Sequence, residues 1–542
     1  MKLKYLYAAL ILSGAALSAP ERLAAQSSSA ALKLTDNYDF IKFSNPWLSA
    51  RNPAGLVHID TVRISTASIS AESVSGSFRD YNDASKVFSL GARAESFYQL
   101  GKSLVFFGEV EYQNSSLKGS EGSAFMSTDR LPFDLVEAEP NPGKAQQNRY
   151  HLTGAIAGEI SSVLALGAKL DYIAADFSKH KDLRHQNYLI DLRINGGAHL
   201  HLGDKFEAGL DLIYRRSTES VRFDLYGTAD KTYWTLISYA AFMGRKEAFG
   251  EAGYTEKGRQ IPLFNEFKGA GAQFVWMPAE GLKFFGDVSY LKRDGYYGEK
   301  STTTAQFDTF KGNVMEVNLR ADYSRGGNLH TLEAAYSTEA LDNYSTNFRE
   351  VENQENTARY YEYYSPVKRA RKVWNSLSGT YTLQMDFTGQ TPAWIIKAGF
   401  GYERCVQTGY EYPFYRKQRL TIQQFKASAV RNLIGKSIIW GLRAGIAYSK
   451  GSGAAFDDGV LAQPSAGQED PASMEQYLLQ NHEFLTSPQW SAVLGIRATF
   501  LAKALGLRPY VDLQYSLRRA SDLTWIQGNA RNCINLTIGT AF

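Results

Sequence analysis

The feature that most constrains this chain is a period of two held over long stretches. From residue 86 to 100 the even positions read Phe88, Leu90, Ala92, Ala94, Ser96, Tyr98 and Leu100, against Ser89, Gly91, Arg93, Glu95, Phe97 and Gln99 at the odd ones. Side chains of an extended backbone alternate between opposite faces, so one face of this segment is apolar and the other polar. The sorting is clearest at 188–202, where Tyr188, Ile190, Leu192, Ile194, Ala198, Leu200 and Leu202 oppose Asp191, Arg193, Asn195, His199 and His201. The same pattern marks strands at 60–78, 104–113, 150–160, 164–174, 206–216, 270–276, 282–290, 315–323, 329–338, 373–385, 394–403, 420–431, 438–448, 490–500, 507–518 and 534–542, about 18 in all. Many exceed the ~5–6 residues of a soluble strand and approach the ~9–11 that a tilted strand needs to cross a bilayer.

Beyond the first residues no apolar run is long enough for a membrane helix, which leaves the closed β-barrel as the way for such a chain to span a bilayer. Connection lengths agree. Short joins at 101–102, 161–162, 203–204, 278–281, 324–328, 386–391, 434–436 and 501–506 alternate with long ones at 114–149, 217–269, 339–372, 450–489 and 519–533. The expected fold is all-β: a transmembrane antiparallel β-barrel of about 18 strands with short periplasmic turns and long extracellular loops. Ile534, Leu536, Ile538, Thr540 and Phe542 alternate up to a terminal Phe. This resembles the last-strand signature by which outer-membrane proteins reach the barrel-assembly machinery, and it implies that machinery as a partner.

Lys2 and Lys4 precede an apolar stretch at 5–19, and Leu23, Ala24 and Ala25 offer a small-residue cleavage site. Residues 1–25 are therefore expected to be a signal peptide, residues 26–58 a periplasmic or lumenal segment, and 59–542 the barrel, placed in the bacterial outer membrane. Asn52-Pro53-Ala54-Gly55-Leu56 is similar to a short signature near the N-terminus of fatty-acid-transporter-like barrels. The chain as a whole looks like the uncharacterised single-domain outer-membrane barrels. Outer-membrane lipids and lipopolysaccharide are the implied surroundings, and the long loops could take a surface protein partner.

The charge balance, 59 Lys+Arg against 55 Asp+Glu, gives no footprint for nucleic acid. Aromatic residues are 13% of the chain, and Tyr98, Tyr150, Tyr188, Tyr290 and Tyr515 sit on the lipid-facing parity near strand ends, as interface girdles require. The polar parity would line the lumen with Arg93, Glu95, Glu109, Glu111, Glu159, Lys169, Asp171, Asp191, Arg193, Glu207, Asp211 and Arg215 in the first half, and with Lys397, Glu403, Arg443, Arg497, Arg508, Asp512 and Arg518 later. The wall thus shifts from mixed-acidic to basic, a transverse field that can set ion preference. Those charges can equally pair across neighbouring strands and merely stiffen the wall.

His199 and His201 with Glu207 offer three donors, but two are i, i+2 on one strand and no further ligand is evident, so no metal site is expected. None of the eight histidines sits in a nucleophile motif; neither catalysis nor a cofactor is expected. The loop at 217–269 holds Tyr233 and Trp234 and is too apolar to stay solvated, so it should fold inward. Tyr360, Tyr361, Tyr363 and Tyr364, followed by basic residues, suit either an aromatic girdle or a sugar or phosphate contact. Cys405 and Cys533 map to one rim in an oxidising compartment, which leaves a disulfide open if a loop folds over the mouth. The resulting expectation is a channel or uptake protein for a small polar solute, narrowed by inward-folded loops. The alternatives are a hydrophobic-substrate transporter of the fatty-acid type and a structural barrel that binds partners through its loops.

Overall fold

The computed structural model describes residues 38–59, 63–101, 103–181, 183–225, 231–301, 304–352, 359–502 and 506–542. The expected signal peptide, residues 1–25, lies outside them. Eighteen strands close into one barrel: β1 (Arg63–Gly76), β2 (Lys86–Leu100), β3 (Leu104–Ser120), β4 (Gly143–Glu159), β5 (Leu164–Lys179), β6 (Arg184–His201), β7 (Phe206–Asp224), β8 (Gln260–Ala279), β9 (Leu282–Gly298), β10 (Gln306–Arg325), β11 (Asn328–Ser345), β12 (Val367–Thr388), β13 (Thr391–Glu411), β14 (Phe414–Ile434), β15 (Ile438–Ser452), β16 (Gln489–Phe500), β17 (Arg508–Ala520) and β18 (Ala530–Ala541). Each pairs antiparallel with its neighbour in the chain. β1 also pairs with β18, with Ser70 opposite Thr537 and Ala71 opposite Leu536, so the barrel itself has no open edge.

Phe88, Leu90, Leu210, Leu212, Ile446 and Leu494 are exposed on the outward parity, and Tyr98, Tyr150, Tyr188, Tyr290 and Tyr515 are exposed with them. An apolar belt around a closed barrel makes the chain a membrane-spanning one.

Every segment read from the alternation is a strand, and most run further toward the long-loop rim. β7 continues to Asp224 and β8 begins at Gln260, ten residues before the apolar pattern does. Beyond Arg215 the pattern inverts: Val221 and Phe223 point inward and are fully buried, while Arg216 and Arg222 share the outward parity. Above the lipid the outer face meets water and the inner face meets a covered core, so the backbone ladder continues while its sequence signature changes sign.

That core is a cap made from the long connections. Ala472–Ser473, Met243–Ala248, Trp234–Ala240 and Asp134–Glu137 form a four-stranded sheet in this order, beside helix α3 (Glu475–Thr486). Phe133, Leu135, Ile237, Tyr239, Tyr254 and Tyr297 are buried at its centre, each burial worth about 1.5–3 kcal/mol. Arg416 on β14, 4% exposed, holds the cap by bonding Asp458 and Ser473. Lys179 pairs with Glu137, and Arg293 with Glu339 at 2.5 Å. Two connections on this rim depart from the expected length rule: 180–183 and 412–413 are as tight as those on the other rim. Between β5 and β6, and between β13 and β14, the strands climb to the cap themselves and need only a turn to return.

Candidate functional site

The lumen is occupied from within by residues 38–59. Helix α1 (Tyr38–Ser44), helix α2 (Pro46–Ser49) and a 3-10 turn (Pro53–His58) form a plug. Two Asn-Pro pairs start the last two elements. Asn45 accepts from the Trp47 amide and Asn52 from the Ala54 amide, with proline at the first helical position where its missing N–H costs nothing. Turns of four and six residues are too short to hold alone; the wall holds them.

Asn52, 1% exposed, donates its side-chain amide to the main-chain oxygen of Ala198 at 2.9 Å and to Gln273 Oε1 at 3.0 Å. Its approach depends on glycines. A Cβ at Gly197 would collide with the Asn52 side chain, one at Gly167 would reach the Ala54 backbone, and one at Gly209 would come within 2.8 Å of Trp47. Gly167 on β5 and Gly197 on β6 face each other in register, and Gly209 on β7 faces His199 of β6, so the three form one bare patch.

Charge completes the docking. Arg51 reaches Asp211 at 3.2 Å, Asp287 at 2.6 Å and Glu316 at 3.4 Å. Lys42 pairs with Glu95 at 2.5 Å, and Arg320 donates to the Phe43 carbonyl at 2.7 Å with its guanidinium 4.4 Å over the Phe43 ring. Tyr38, Ile41, Leu48, Leu56 and Ile59 pack on Ile64, Phe97 and Val105. At the end of the plug Trp47 Nε1 donates to Glu207 Oε2 at 2.5 Å, and His58 Nε2 lies 3.2 Å from His199 Nε2. Burial pushes the His58 imidazole down to about 4, so it is neutral at ordinary pH.

Most inward charges of the first half are engaged by these contacts or by neighbouring strands, while Glu159 stays exposed near the short-turn rim. Glu95 binds the plug; Arg93 pairs with Glu95 and Glu109; Glu111 pairs with Arg149. Asp171 pairs with Lys169, Asp191 with Arg215, and Arg193 donates to Asn195. His199 lies under the plug, whereas the His201 side chain is 46% exposed near Glu207.

The other half of the wall differs. Lys397, Glu403, Lys426 and Arg518 are exposed on the inward parity of β13, β14 and β17. Arg443 donates to Gln514 at 2.7 Å, and Arg497 lies 3.9 Å over the Tyr510 ring and 3.8 Å from the Asp39 carboxylate. Arg508 opens β17 at the short-turn rim. A cavity of about 540 Å³ lies between plug and wall, lined by Arg51, Asp171, Arg193, Glu316, Ser378 and Thr380 among others. A second of about 270 Å³ is lined by Glu403, Gln424, Ser449, Ser491 and Arg518 below helix α3.

The loop aromatics are not gathered into one site. Tyr233 packs against the cap core and the Trp234 side chain stays exposed. Tyr360, Tyr361 and Tyr363 lie in a separate hairpin, Phe348–Glu352 with Arg359–Tyr363, with Tyr364 just after it. The disulfide left open by the sequence does not form: Cys405 and Cys533 are free thiols. β13 runs on to Glu411, so Cys405 sits inside the wall opposite Trp374 and Leu420, while Cys533 faces Val74 and Ser516. No loop carries either thiol across the five-strand gap.

Sequence reasoning missed Trp47, Arg51 and His58 as wall-binding residues. The available signals were the paired Asn-Pro turns and the glycines on the inward parity of three consecutive strands.

Residues 53–542 match the profile of a family described as "Family of unknown function (DUF6850)", and the chain belongs to it. No curated protein sequence matches it. Among solved structures it is similar to a Pseudomonas aeruginosa FadL homologue, 11% identical over 91% of this chain and 92% of that one, with a TM-score of 0.29. It is also similar to the outer membrane transporter YddB from Escherichia coli, 8% identical over 89% and 81%, with a TM-score of 0.39. The P. aeruginosa FpvA complex with heterologous pyoverdines is 10% identical over 88% and 71%, with a TM-score of 0.40. Likenesses this distant carry nothing about what this chain does.

Proposed function

We propose that this DUF6850 member is an outer-membrane uptake channel for a small polar solute, which passes between the docked plug and the open wall of β12–β17. The observation that carries this reading is an asymmetry of the lumen. Inward residues that the plug covers are buried, such as Glu95 at 4%, Asp211 at 2% and Gln273 at 3%, whereas Ser378, Lys397, Glu403 and Lys426 across the lumen are exposed to the interior. The exposed side is polar and leans basic, which suits an anionic or zwitterionic solute better than a hydrocarbon. The cap packs over part of the long-loop mouth and narrows it, and the short turns face the periplasm.

Conductance of the purified full-length protein in planar bilayers tests this. Small or intermittent conductance is expected from the wild type, and a large steady one from a variant whose plug is displaced. Zero conductance from both, with the barrel folded by its heat-modifiable mobility, would leave a structural role instead.

A further inference from the structure

Three metal-capable donors meet where the plug ends. His58 Nε2 is 3.2 Å from His199 Nε2, His199 Nε2 is 3.4 Å from Glu207 Oε2, and Glu207 Oε2 is 3.6 Å from His58 Nε2. Donors held about 2.0–2.1 Å from a tetrahedral ion stand about 3.3–3.4 Å from one another. The triangle already has the size of one face of such a coordination sphere.

The surroundings fix these donors in place. Trp47 stacks parallel to His58, with 7° between the rings, and meets His199 edge-on. Its indole N–H also donates to Glu207 Oε2, the kind of outer hydrogen bond that orients a ligating carboxylate. Among the described residues no Lys or Arg pairs with Glu207, whose basic neighbours within 4 Å are His58, His199 and His201. The comparable group Glu109, Glu111 and His151 is different, because Arg93 and Arg149 already neutralise its carboxylates.

We propose that His58, His199 and Glu207 bind one divalent transition-metal ion of the zinc type, and that this ion clamps the plug to the wall. Two imidazoles and one carboxylate suit borderline ions such as zinc, cobalt or iron(II), whereas calcium and magnesium take oxygen ligands. Three protein donors leave a fourth position for water. His58 belongs to the plug, and the other two residues to β6 and β7, 141 residues away for His199. The ion therefore joins parts that the barrel ladder does not, and its effect falls on docking rather than on barrel formation.

The test uses the full-length protein in detergent, stripped with a chelator and then titrated with Co²⁺, with metal content measured after Zn²⁺ loading. One ion per chain is expected, with cobalt absorption of tetrahedral intensity that Zn²⁺ displaces and Mg²⁺ does not. His58→Ala and Glu207→Gln lose the ion while keeping heat-modifiable mobility, and His201→Ala keeps it. Trp47→Phe, which removes the outer hydrogen bond together with part of the ring packing while keeping an aromatic side chain, weakens binding about 10–100-fold. Zn²⁺ slows hydrogen exchange across residues 45–59 in the wild type but not in His58→Ala. A folded wild type that takes up no stoichiometric ion overturns the proposal, and so does binding that persists in both His58→Ala and His199→Ala; either leaves a hydrogen-bonded His–His–Glu cluster alone.

Discussion

The side-chain amide of Asn52 donates to the main-chain oxygen of Ala198 at 2.9 Å, joining positions 146 residues apart. A strand in a complete ladder still has carbonyl lone pairs facing the lumen, and a side chain can reach them only where the wall presents no Cβ. Docking of the plug is therefore written into the wall as missing side chains as much as into the plug itself.

Replacing Gly197 by Val should displace the plug without unfolding the barrel. The new side chain collides with Asn52, and overpacking of this kind costs about 1–3 kcal/mol. Protease cleavage within residues 45–59 and single-channel conductance should both rise. Gly196→Ala is the control, since nothing lies within 4 Å of its Cβ. Equal protection of residues 45–59 in both variants would refute this account of docking.

Arg51→Ala should loosen the plug more than any other single truncation in it. The Arg51 side chain is 10% exposed beside the carboxylate side chains of Asp211 at 0% and Asp287 at 6%, and removing one partner of a buried ionic group costs about 3–5 kcal/mol because the remaining charges stay buried. Hydrogen exchange across residues 45–59 should quicken accordingly. Arg51→Lys should restore part of the protection, since it keeps the charge but not the forked geometry.

Charge reversal on the open wall should alter ion preference. Lys397→Glu combined with Arg443→Glu makes the basic side of the lumen acidic, and the reversal potential in a salt gradient should move toward cation selectivity. An unchanged reversal potential in a conducting double variant would show that the solute path lies elsewhere.

Cap packing should depend on pH through two carboxyl groups, half-buried Asp80 and buried Glu137. Burial raises Asp80 to about 7, against hydrogen bonds from the Tyr81 amide and Asn481 and with Asp83 nearby. Burial likewise raises Glu137 to about 7 despite Lys179, with Glu121 adding to the rise. An acid whose folded value is raised favours the closed state while protonated, so the contribution is full below about pH 4 and is lost as pH climbs through 7. Hydrogen exchange at 134–137 and 478–486 should accelerate between about pH 4 and pH 7 beyond its intrinsic rise, and gain nothing extra above that. Asp80→Asn, neutral throughout, should flatten part of that dependence.

What the sequence determined by itself was the barrel. Outward residues must match lipid along every strand, so Phe88, Leu90, Leu210 and Leu494 leave a local period that needs no knowledge of partners. Strand number followed from it, whereas strand ends did not, because above the lipid residues such as Val221 and Phe223 answer to the cap rather than to the membrane. Which inward charges stay exposed was decided only by tertiary structure. Glu95 and Lys397 share the same polar parity in the sequence, yet one lies beneath Lys42 of the plug and the other faces the open interior. The cluster of His58, His199 and Glu207 was out of reach for the same reason: its third member arrives from a segment with no period of its own, seated by glycines whose meaning appears only when Asn52 lies against them.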